Sequence, residues 1–455
     1  MDRGRVTSVW RRVLGLSWPV MVEQTTRTAM RTTDVLVTGL FSPAAIAAIG
    51  LADLYARFPL RIGLGLGGGA IALSSQDTGS GAEANRDEAV TQAVALAFLT
   101  GIPFAIVGFL FGNAAIGVLG ASETVADLGG TYLAIVFATA PARQVSLVAA
   151  RSMQGTGDTR RPMYVNVISN GLNIVGSIVL GLGLLGFPRL EIVGVGLATT
   201  GSNVFTAVVL CLLLWTGRTS AGFVWPSNPI VARQLVVVSV PRIADGFANT
   251  LAEFPFNALL LGFGTEVNAG FQVGRRIYQQ VTGPLSRGYS VAASVVVGQA
   301  LGEGDPERAR GDGLATGLLG LCTVGVIGLV LVVGAPVFVR VFTRDPATVD
   351  YAVGFARAYG LAAPGLVAFT VFSGCLQGGS ETRLPFVGRV LGLLVFFLGF
   401  SYVVGITLDY GVLGAYGGIV GYYGLAGLVV TVGFWRGNWA SRAASMMAER
   451  GSATD

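Results

Sequence analysis

Long apolar runs, seldom interrupted by charged residues, dominate the sequence. A run of about 20 apolar residues is long enough to cross the hydrocarbon core of a bilayer as an α-helix. Since lipid offers the backbone no hydrogen-bond partners, runs of this kind must be helical. We therefore predict an all-α polytopic membrane protein. Its spans, about twelve in number, are expected near residues 13–40, 45–73, 89–111, 125–150, 163–186, 193–215, 236–261, 269–299, 313–339, 350–376, 385–406 and 412–434.

The composition agrees with a membrane protein and excludes several kinds of site. Only 12% of the 455 residues are charged, which is about half the share usual in soluble domains. The 67 glycines suit close helix packing in lipid. The absence of histidine from the sequence excludes histidine-based proton relays and metal sites. Cys211, Cys322 and Cys375 lie in separate apolar runs, which favours free thiols over disulfides or a metal cluster.

Arginine supplies all of the positive charge, and its distribution predicts the orientation of the spans. Short loops rich in arginine stay on the cytoplasmic side of a membrane. The arginines before the first span, in even-numbered connections and after the last span are Arg3, Arg5, Arg11, Arg12, Arg160, Arg161, Arg218, Arg233, Arg308, Arg310, Arg383, Arg436, Arg442 and Arg450. The opposite connections hold Arg189 and Arg344, with Arg340 at a helix end. We therefore expect a multi-pass protein of the cytoplasmic membrane with both termini in the cytoplasm.

An internal repeat divides the chain into two homologous halves. The segment Gln154–Pro162 (QGTGDTRRP) recurs as Gln377–Pro385 (QGGSETRLP). The pairs Gln76/Gln299 and Pro141/Pro364 keep the same offset, and the pair Pro19/Pro241 differs from it by one residue. Because each half holds an even number of spans, the halves enter the membrane in the same orientation, as a parallel repeat. We expect a six-span N-lobe over residues 1–220, an interlobe linker over 221–235, and a six-span C-lobe with a short tail over 236–455.

The repeated segment is expected to lock each loop onto the helix that follows it. An acidic side chain near a helix start, paired with an arginine, is an ordinary device for this purpose. We predict that Asp158 acts with Arg160, and Glu381 with Arg383. The full set of repeat-loop residues is Gln154, Gly155, Asp158, Arg160 and Pro162 in the first half, with Gln377, Glu381, Arg383 and Pro385 in the second.

A polar stripe occupies one face of four predicted spans. In the first span, ionisable residues follow one another at spacings of four, four and three, which places them on one helical face. They are Glu23, Arg27, Arg31 and Asp34. The second half repeats the stripe after Pro241, and the span after each of these adds further polar residues. These are Asp245, Asn249 and Glu253, then Asp53, Arg57 and Arg61, and finally Arg275 and Gln279.

Charges inside a membrane need an explanation, since each costs about 2.5–3.5 kcal/mol at the bilayer centre. Two interpretations are open: ion pairs that lock helices together, and side chains that face a hydrated cavity. Intramembrane ionisable residues usually mark a transport path, which favours a central cavity between the halves. Both interpretations hold together if Arg27 or Arg31 pairs with Glu23 or Asp34 in one state and releases it in another.

The motifs together resemble the multidrug and toxic compound extrusion (MATE) family of the MOP flippase superfamily, over nearly the whole chain. The most specific match is the Gln154–Pro162 loop. Further matches are Ala292–Ser294 followed by Val297–Asp305, and Gly196–Ser202. The resemblance implies two six-helix lobes forming a V-shaped central cleft, lined by the first, second, seventh and eighth spans. It also implies export of organic, often cationic, compounds by alternating access in exchange for protons or sodium ions.

The resemblance also implies a coupling site in the N-lobe. Asp34 resembles the coupling aspartate of the first span, while Asn173 and Thr199 match polar residues of the fifth and sixth spans. Where the archaeal-type site has a second aspartate, this chain has Ser177. One carboxylate can still couple to a proton by alternating between an apolar and an arginine-bearing environment. The oxygens of these four residues would alternatively hold sodium, since hard cations take oxygen ligands.

Because the stripe contains arginines as well as carboxylates, the sequence leaves the charge of the substrate undecided. A cleft for cationic drugs is expected to offer carboxylates, which Glu23, Asp53, Asp245 and Glu253 supply. An arginine-lined cavity instead suits an anionic lipid-linked glycan, so a flippase is the alternative. A major-facilitator transporter shares the parallel repeat, but the Gln76–Arg86 loop lacks its signature. We expect a monomer in the lipid bilayer that transports a small organic solute. We expect no nucleic-acid partner, no cofactor besides the coupling ion, and no enzymatic activity.

Overall fold

The computed structural model describes residues Arg3–Ser452, and this part of the chain is helical without strands. Its helices are α1 (Arg3–Gly39), α2 (Pro43–Ser80), α3 (Glu83–Gly117), α4 (Glu123–Ala138), α5 (Ala140–Gly155), α6 (Arg160–Leu182), α7 (Glu191–Trp215), α8 (Pro229–Phe263), α9 (Thr265–Gly302), α10 (Pro306–Phe342), α11 (Pro346–Gly378), α12 (Arg383–Gly392), α13 (Val412–Arg436) and α14 (Trp439–Gly451). After α12 the chain continues through two π-helical stretches, Leu393–Phe400 and Val403–Thr407. The predicted all-α class is confirmed.

The predicted spans correspond to these helices one by one. Between Arg3 and Ser452, eight helices are long and apolar enough to cross a membrane. The pair α4 and α5 adds a ninth span, broken by a bend of 49°. The remaining three predicted spans are α1, α2 and α9, which have 37, 38 and 38 residues and carry the charges of the polar stripe. The last helix, α14, follows the twelve predicted spans.

The chain folds as two compact units, which differ in detail from the predicted lobes. The N-terminal unit comprises Val22–Ser74, Ala82–Ser239 and the residues from Arg450 onward. The C-terminal unit comprises the residues up to Met21, Ser75–Gly81 and Val240–Glu449. The predicted linker at 221–235 therefore belongs to the N-terminal unit.

Side chains at the start of α3 explain why the linker belongs to that unit. Glu88 Oε1 accepts backbone hydrogen bonds from Ser227 at 2.7 Å and from Asn228 at 2.8 Å. Asp87 Oδ1 accepts the backbone N–H of Gly222 at 3.1 Å. A buried carboxylate that satisfies several backbone donors fixes a segment which would otherwise be a flexible connection.

The start of α1 and the end of α2 are bound into the C-terminal unit in a similar way. Trp10 Nε1 donates to the Ala315 carbonyl at 2.8 Å, and Arg12 Nη2 donates to Gln299 Oε1 at 2.6 Å. The buried amide of Gln76 donates to the Gly378 carbonyl at 2.8 Å. These bonds join residues about 300 positions apart in the sequence, so helical periodicity could not predict them.

Glycine permits close contact between α3 and α5 in the N-terminal unit. A Cβ added at Gly101 would lie 2.4 Å from the Pro141 Cα atom and 2.5 Å from its nitrogen. Because both atoms belong to the backbone, they cannot move aside as a flexible side chain would. The approach holds the first turn of α5 against α3, just after the bend at Thr139.

We expect Gly101→Ala to lower the free energy of unfolding by about 1–3 kcal/mol, since overpacking a close helix contact forces backbone shifts. Thermal unfolding of the purified protein in detergent would show a lower Tm. Gly50→Ala is the matched control, because an added Cβ there meets nothing within 4 Å. Equal Tm values for the two variants would contradict the packing argument.

Candidate functional site

The four residues predicted to couple to an ion lie together in the N-terminal unit. Ser177 Oγ donates to Asp34 Oδ1 at 2.7 Å. With the Asn173 amide nitrogen turned toward the carboxylate, it donates to the same oxygen at 3.1 Å. In that orientation the amide oxygen accepts from Thr199 Oγ1 at 3.2 Å. In the described part of the chain, the Asp34 carboxylate is thus held by neutral donors, at 8% exposure.

The local sequence explains how three helices meet at Asp34. Asn173 and Ser177 are one helical turn apart on α6 and share a face. Thr199 lies on α7, which approaches α6 closely: a Cβ at Gly194 would lie 2.6 Å from the Leu180 carbonyl carbon. Small residues at such a crossing allow polar side chains of two helices to meet.

A cavity of about 150 Å³ opens beside this cluster, within the N-terminal unit. Asp34, Asp53, Arg27 and Arg31 of the predicted stripe line it, together with Thr199. Asp53 and Arg31 are exposed, whereas Arg27 is half-buried. The cavity therefore offers both charge signs to a ligand.

Glu23 and Arg27 form an ion pair with an N–O distance of 2.9 Å, one helical turn apart on α1. The Glu23 carboxylate also accepts from Gln154 Nε2 at 3.4 Å. Gln154 belongs to the repeated loop and takes a second bond from Arg151 Nη1 at 3.1 Å. One end of the stripe is therefore locked to the loop, while Asp34 at its other end is not ion-paired within the described residues.

The acidic residues of the two repeat loops pair differently from the prediction. Asp158 accepts the Arg161 backbone N–H at 3.1 Å and pairs with the Arg161 side chain at 2.6 Å. The prediction that Arg160 is the partner of Asp158 is therefore wrong. Arg161 lies three residues after Asp158, a spacing that brings two side chains together on a helical turn. Gly155 packs closely, since an added Cβ would lie 1.9 Å from Ser74 Oγ, and Pro162 is buried in the first turn of α6.

The second repeat loop shows the same kind of correction. Glu381 accepts the backbone N–H of Arg383 at 2.9 Å, so Arg383 contributes its backbone to this lock. The side-chain partner of Glu381 is Arg442 on α14, at 3.0 Å. Gln377 Nε2 donates to Ser294 Oγ at 3.5 Å, and Pro385 is buried in the first turn of α12.

In the C-terminal unit, the stripe residue Asp245 pairs with Arg389 of α12. Arg389 Nη1 also donates to Asn249 Oδ1 at 3.2 Å and to the Tyr422 hydroxyl at 2.6 Å. Its guanidinium carbon lies 4.6 Å from the centre of the Phe369 ring, a cation–π arrangement. Asp245 has a second, longer contact to Arg242 at 3.6 Å.

The other predicted residues of the stripe lie on α2, α8 and α9. Glu253 pairs with Arg275 at 2.8 Å. Gln279 is exposed on α9, and Arg57 and Arg61 are half-buried on α2. The stripe therefore contains the ion pairs Glu23–Arg27, Asp245–Arg389 and Glu253–Arg275. Arg27 also lines the cavity, together with Arg31, Asp34 and Asp53.

The second half repeats the fold but not the Asp34 cluster. By the repeat offsets, Asp34 corresponds to Phe256, Asn173 to Phe396 and Ser177 to Phe400. Phe256 is fully buried and stacks on Phe397 with ring centres 3.9 Å apart. Aromatic side chains replace the carboxylate, the amide and one hydroxyl there, and the residue that corresponds to Thr199 is Tyr422, whose hydroxyl accepts from Arg389. The Asp34 cluster is therefore a feature of one half.

Sequence reasoning missed several residues that complete these sites. Tyr132, Arg143 and Asn203 line the N-terminal cavity, and Arg389 with Tyr422 completes the C-terminal network. A signal was available for the two arginines, since each is a charge inside a predicted apolar span. Among the described residues, no group of three or more acidic or cysteine side chains is placed to hold a metal ion.

Comparison with known proteins agrees with the repeat and the fold. The MatE family model matches residues 19–179 and again residues 241–403, once in each half. A probable multidrug resistance protein, NorM, of Rhodopseudomonas palustris is 29% identical over 448 residues, covering 94% of this chain and 92% of that protein. A protein of the same description from Bradyrhizobium diazoefficiens is 28% identical, and the match covers 92% of this chain and 91% of that protein.

Solved structures show the same fold. A MATE transporter in its bent conformation superposes with a TM-score of 0.87 at 21% identity, covering 97% of both chains. A MOP superfamily transporter from Pyrococcus furiosus, whose reversed binding-pocket polarity suggests a different function, gives 0.84 at 22% identity over 96% of both chains. Since the family model covers well over half of the chain, the protein belongs to the MATE family of membrane transporters and is not an enzyme.

Proposed function

We propose that this chain is a secondary active antiporter that exports small organic, drug-like compounds in exchange for protons or sodium ions. The observation that carries the proposal is Asp34, a buried carboxylate in a membrane-spanning helix that is held by neutral donors beside a cavity. The relatives described as multidrug resistance proteins support drug-like substrates. The protein would act as a monomer in the cytoplasmic membrane, with no cofactor besides the coupling ion.

The Asp34 cluster can serve either coupling ion. As a carboxylate, Asp34 accepts from Ser177 and Asn173; when protonated it needs fewer donors, so its bonds to α6 weaken. For sodium, oxygens of Asp34, Ser177, Thr199 and a reoriented Asn173 amide would supply the ligands. Either ion changes how α1 is held to α6, and this would link ion binding to alternating access.

The test is transport by the wild-type protein in proteoliposomes under separate proton and sodium gradients. A fluorescent organic cation such as ethidium would be the probe. We expect one of the two gradients, imposed alone, to drive ethidium uphill. Uphill transport that is insensitive to both gradients, with the protein shown to be inserted, would overturn the antiporter proposal.

A flippase for an anionic lipid-linked glycan is the second candidate. Three arginines and two aspartates line the N-terminal cavity, namely Arg27, Arg31, Arg143, Asp34 and Asp53, so its charge favours an anion. The discriminating experiment follows a labelled lipid-linked glycan and ethidium in the same vesicles. Movement of the glycan alone, lost when Arg27, Arg31 and Arg57 are all changed to glutamine, would establish the flippase.

We also propose that both termini lie in the cytoplasm, as the arginine distribution indicates. A green fluorescent protein fused after Asp455 should then be fluorescent in bacterial cells, whereas alkaline phosphatase at the same place should be inactive. The reverse pattern would place the C-terminus outside the cytoplasm.

A further inference from the structure

Arg143 lines the N-terminal cavity but takes part in none of the ion pairs described above. Its Nη1 atom donates to Asn203 Oδ1 at 3.2 Å. Within residues Arg3–Ser452, no carboxylate is close enough to form a salt bridge with it. The Glu23 carboxylate, which lines a separate small pocket together with Arg143, is already bound by Arg27 at 2.9 Å and by Gln154 at 3.4 Å. Arg143 is therefore a positive charge inside a membrane-spanning helix that forms no salt bridge within the described residues.

The surroundings of Arg143 add donors and positive charge. The guanidinium interacts electrostatically with Arg27 and Arg31 as well as with Glu23. Asn203 is buried and also lines the cavity. Because its amide oxygen is used by Arg143, its two N–H donors remain for a ligand, and no acceptor among the described residues takes them. A guanidinium and an amide NH₂ group side by side match the acceptor oxygens of an anion.

The position of Arg143 is fixed by the fold around it. Arg143 follows the 49° bend between α4 and α5, in the first turn of α5. Next to it, Gln144 Nε2 donates to the Pro59 carbonyl at 2.7 Å and holds α5 against α2. Close packing of Gly101 on Pro141 holds the same turn against α3. A charged group mounted on a turn held from two sides is preorganised for binding.

We propose that Arg143 and Asn203 form an anion-binding subsite, which holds a carboxylate or phosphate group of the transported compound. The subsite rests on the proposed function in one respect: the cavity is taken to be where the transported compound binds. The guanidinium offers two parallel N–H donors, a geometry that carboxylates and phosphates match. The oxyanion belongs either to a soluble organic acid or to the headgroup of a lipid, and the experiment separates these sources.

The test compares ligands that differ in the anionic group alone. Binding of dansyl-leucine and of its methyl ester to the purified protein in detergent would be followed by dansyl fluorescence, with no ion gradient present. We expect Arg143→Gln to weaken binding of the acid about 10- to 100-fold, as for loss of a charged hydrogen-bonded partner, and to leave the ester unchanged. Dioctanoyl phosphatidic acid as competitor tests the lipid source. Displacement of the acid from the wild-type protein shows that the subsite also takes a lipid headgroup, and no displacement assigns the subsite to soluble acids.

Two further variants keep the result interpretable if Arg143→Gln folds poorly. Asn203→Asp would place a carboxylate next to Arg143. This variant should bind dansyl-leucine more weakly and should bind its methyl ester as the wild type does. Arg161→Gln, at a side chain that is 49% exposed at the start of α6 and does not line the cavity, is the control and should change binding of neither ligand. Equal weakening of acid and ester in folded Arg143→Gln protein, or no change in either, would overturn the subsite. Since no gradient is used, this outcome is independent of whether coupling at Asp34 is correct.

Discussion

Asp34→Asn is expected to reduce ion-driven export to below about 1% of the wild-type rate, because intramembrane acidic residues are the usual carriers of coupling charge. Asparagine keeps the size of the side chain and an acceptor oxygen for Ser177 Oγ, which lies 2.7 Å from Asp34 Oδ1. It cannot take up or release a proton, and it has no negative charge for sodium. The loss should therefore come from coupling rather than from folding.

Proteoliposomes with an imposed gradient and an entrapped fluorescent substrate measure this effect. Substrate exchange without a gradient should persist in Asp34→Asn, since exchange does not need net ion movement. The control is Asp127→Asn, because Asp127 is on α4 of the same unit, where its carboxylate accepts from Asn113 in an exposed contact. Full gradient-driven transport by Asp34→Asn would remove Asp34 from the mechanism.

Arg389→Met should lower the free energy of unfolding by about 3–5 kcal/mol, the usual cost of removing one partner of a buried ion pair. Asp245 is 5% exposed and would remain as an isolated carboxylate, with only the longer contact to Arg242 at 3.6 Å. Asn249 and Tyr422 would also lose a donor. Methionine keeps most of the length and the apolar contact with Phe369, so the change tests charge more than volume.

The double variant Asp245→Leu/Arg389→Met separates the ion pair from packing. With both charges gone, the loss should be smaller than in Arg389→Met alone, because no unpaired charge stays buried. Arg161→Met is the control: its pair with Asp158 has an arginine that is 49% exposed, and exposed pairs contribute about 0–1 kcal/mol. Chemical unfolding in mixed micelles gives the values. Additive losses in the double variant would contradict coupling between the two side chains.

The proposed sites differ in how far sequence could predict them. The Glu23–Arg27 pair follows from helical spacing, because residues four apart on a helix are neighbours. The grouping of Asp34, Asn173, Ser177 and Thr199 came from resemblance to a family, since these residues lie on three helices. Asp158 and Glu381 were predicted to lock the loops, but the partners are Arg161 and Arg442. Choosing between the adjacent Arg160 and Arg161 needs side-chain geometry that the sequence does not contain, and the contact of Arg442 with Glu381 spans 61 residues.

The sequence by itself determined the helices and the division into repeated halves. Lipid leaves the backbone of an apolar run no alternative to a helix, and a repeat is visible without coordinates. The tertiary structure decided which charges pair. Arg389 meets Asp245 across 144 residues, and Arg143 meets Asn203 across 60. Contacts between distant segments depend on which helices pack together and on the rotation of each helix. Neither quantity can be read from the spacing of residues along one chain.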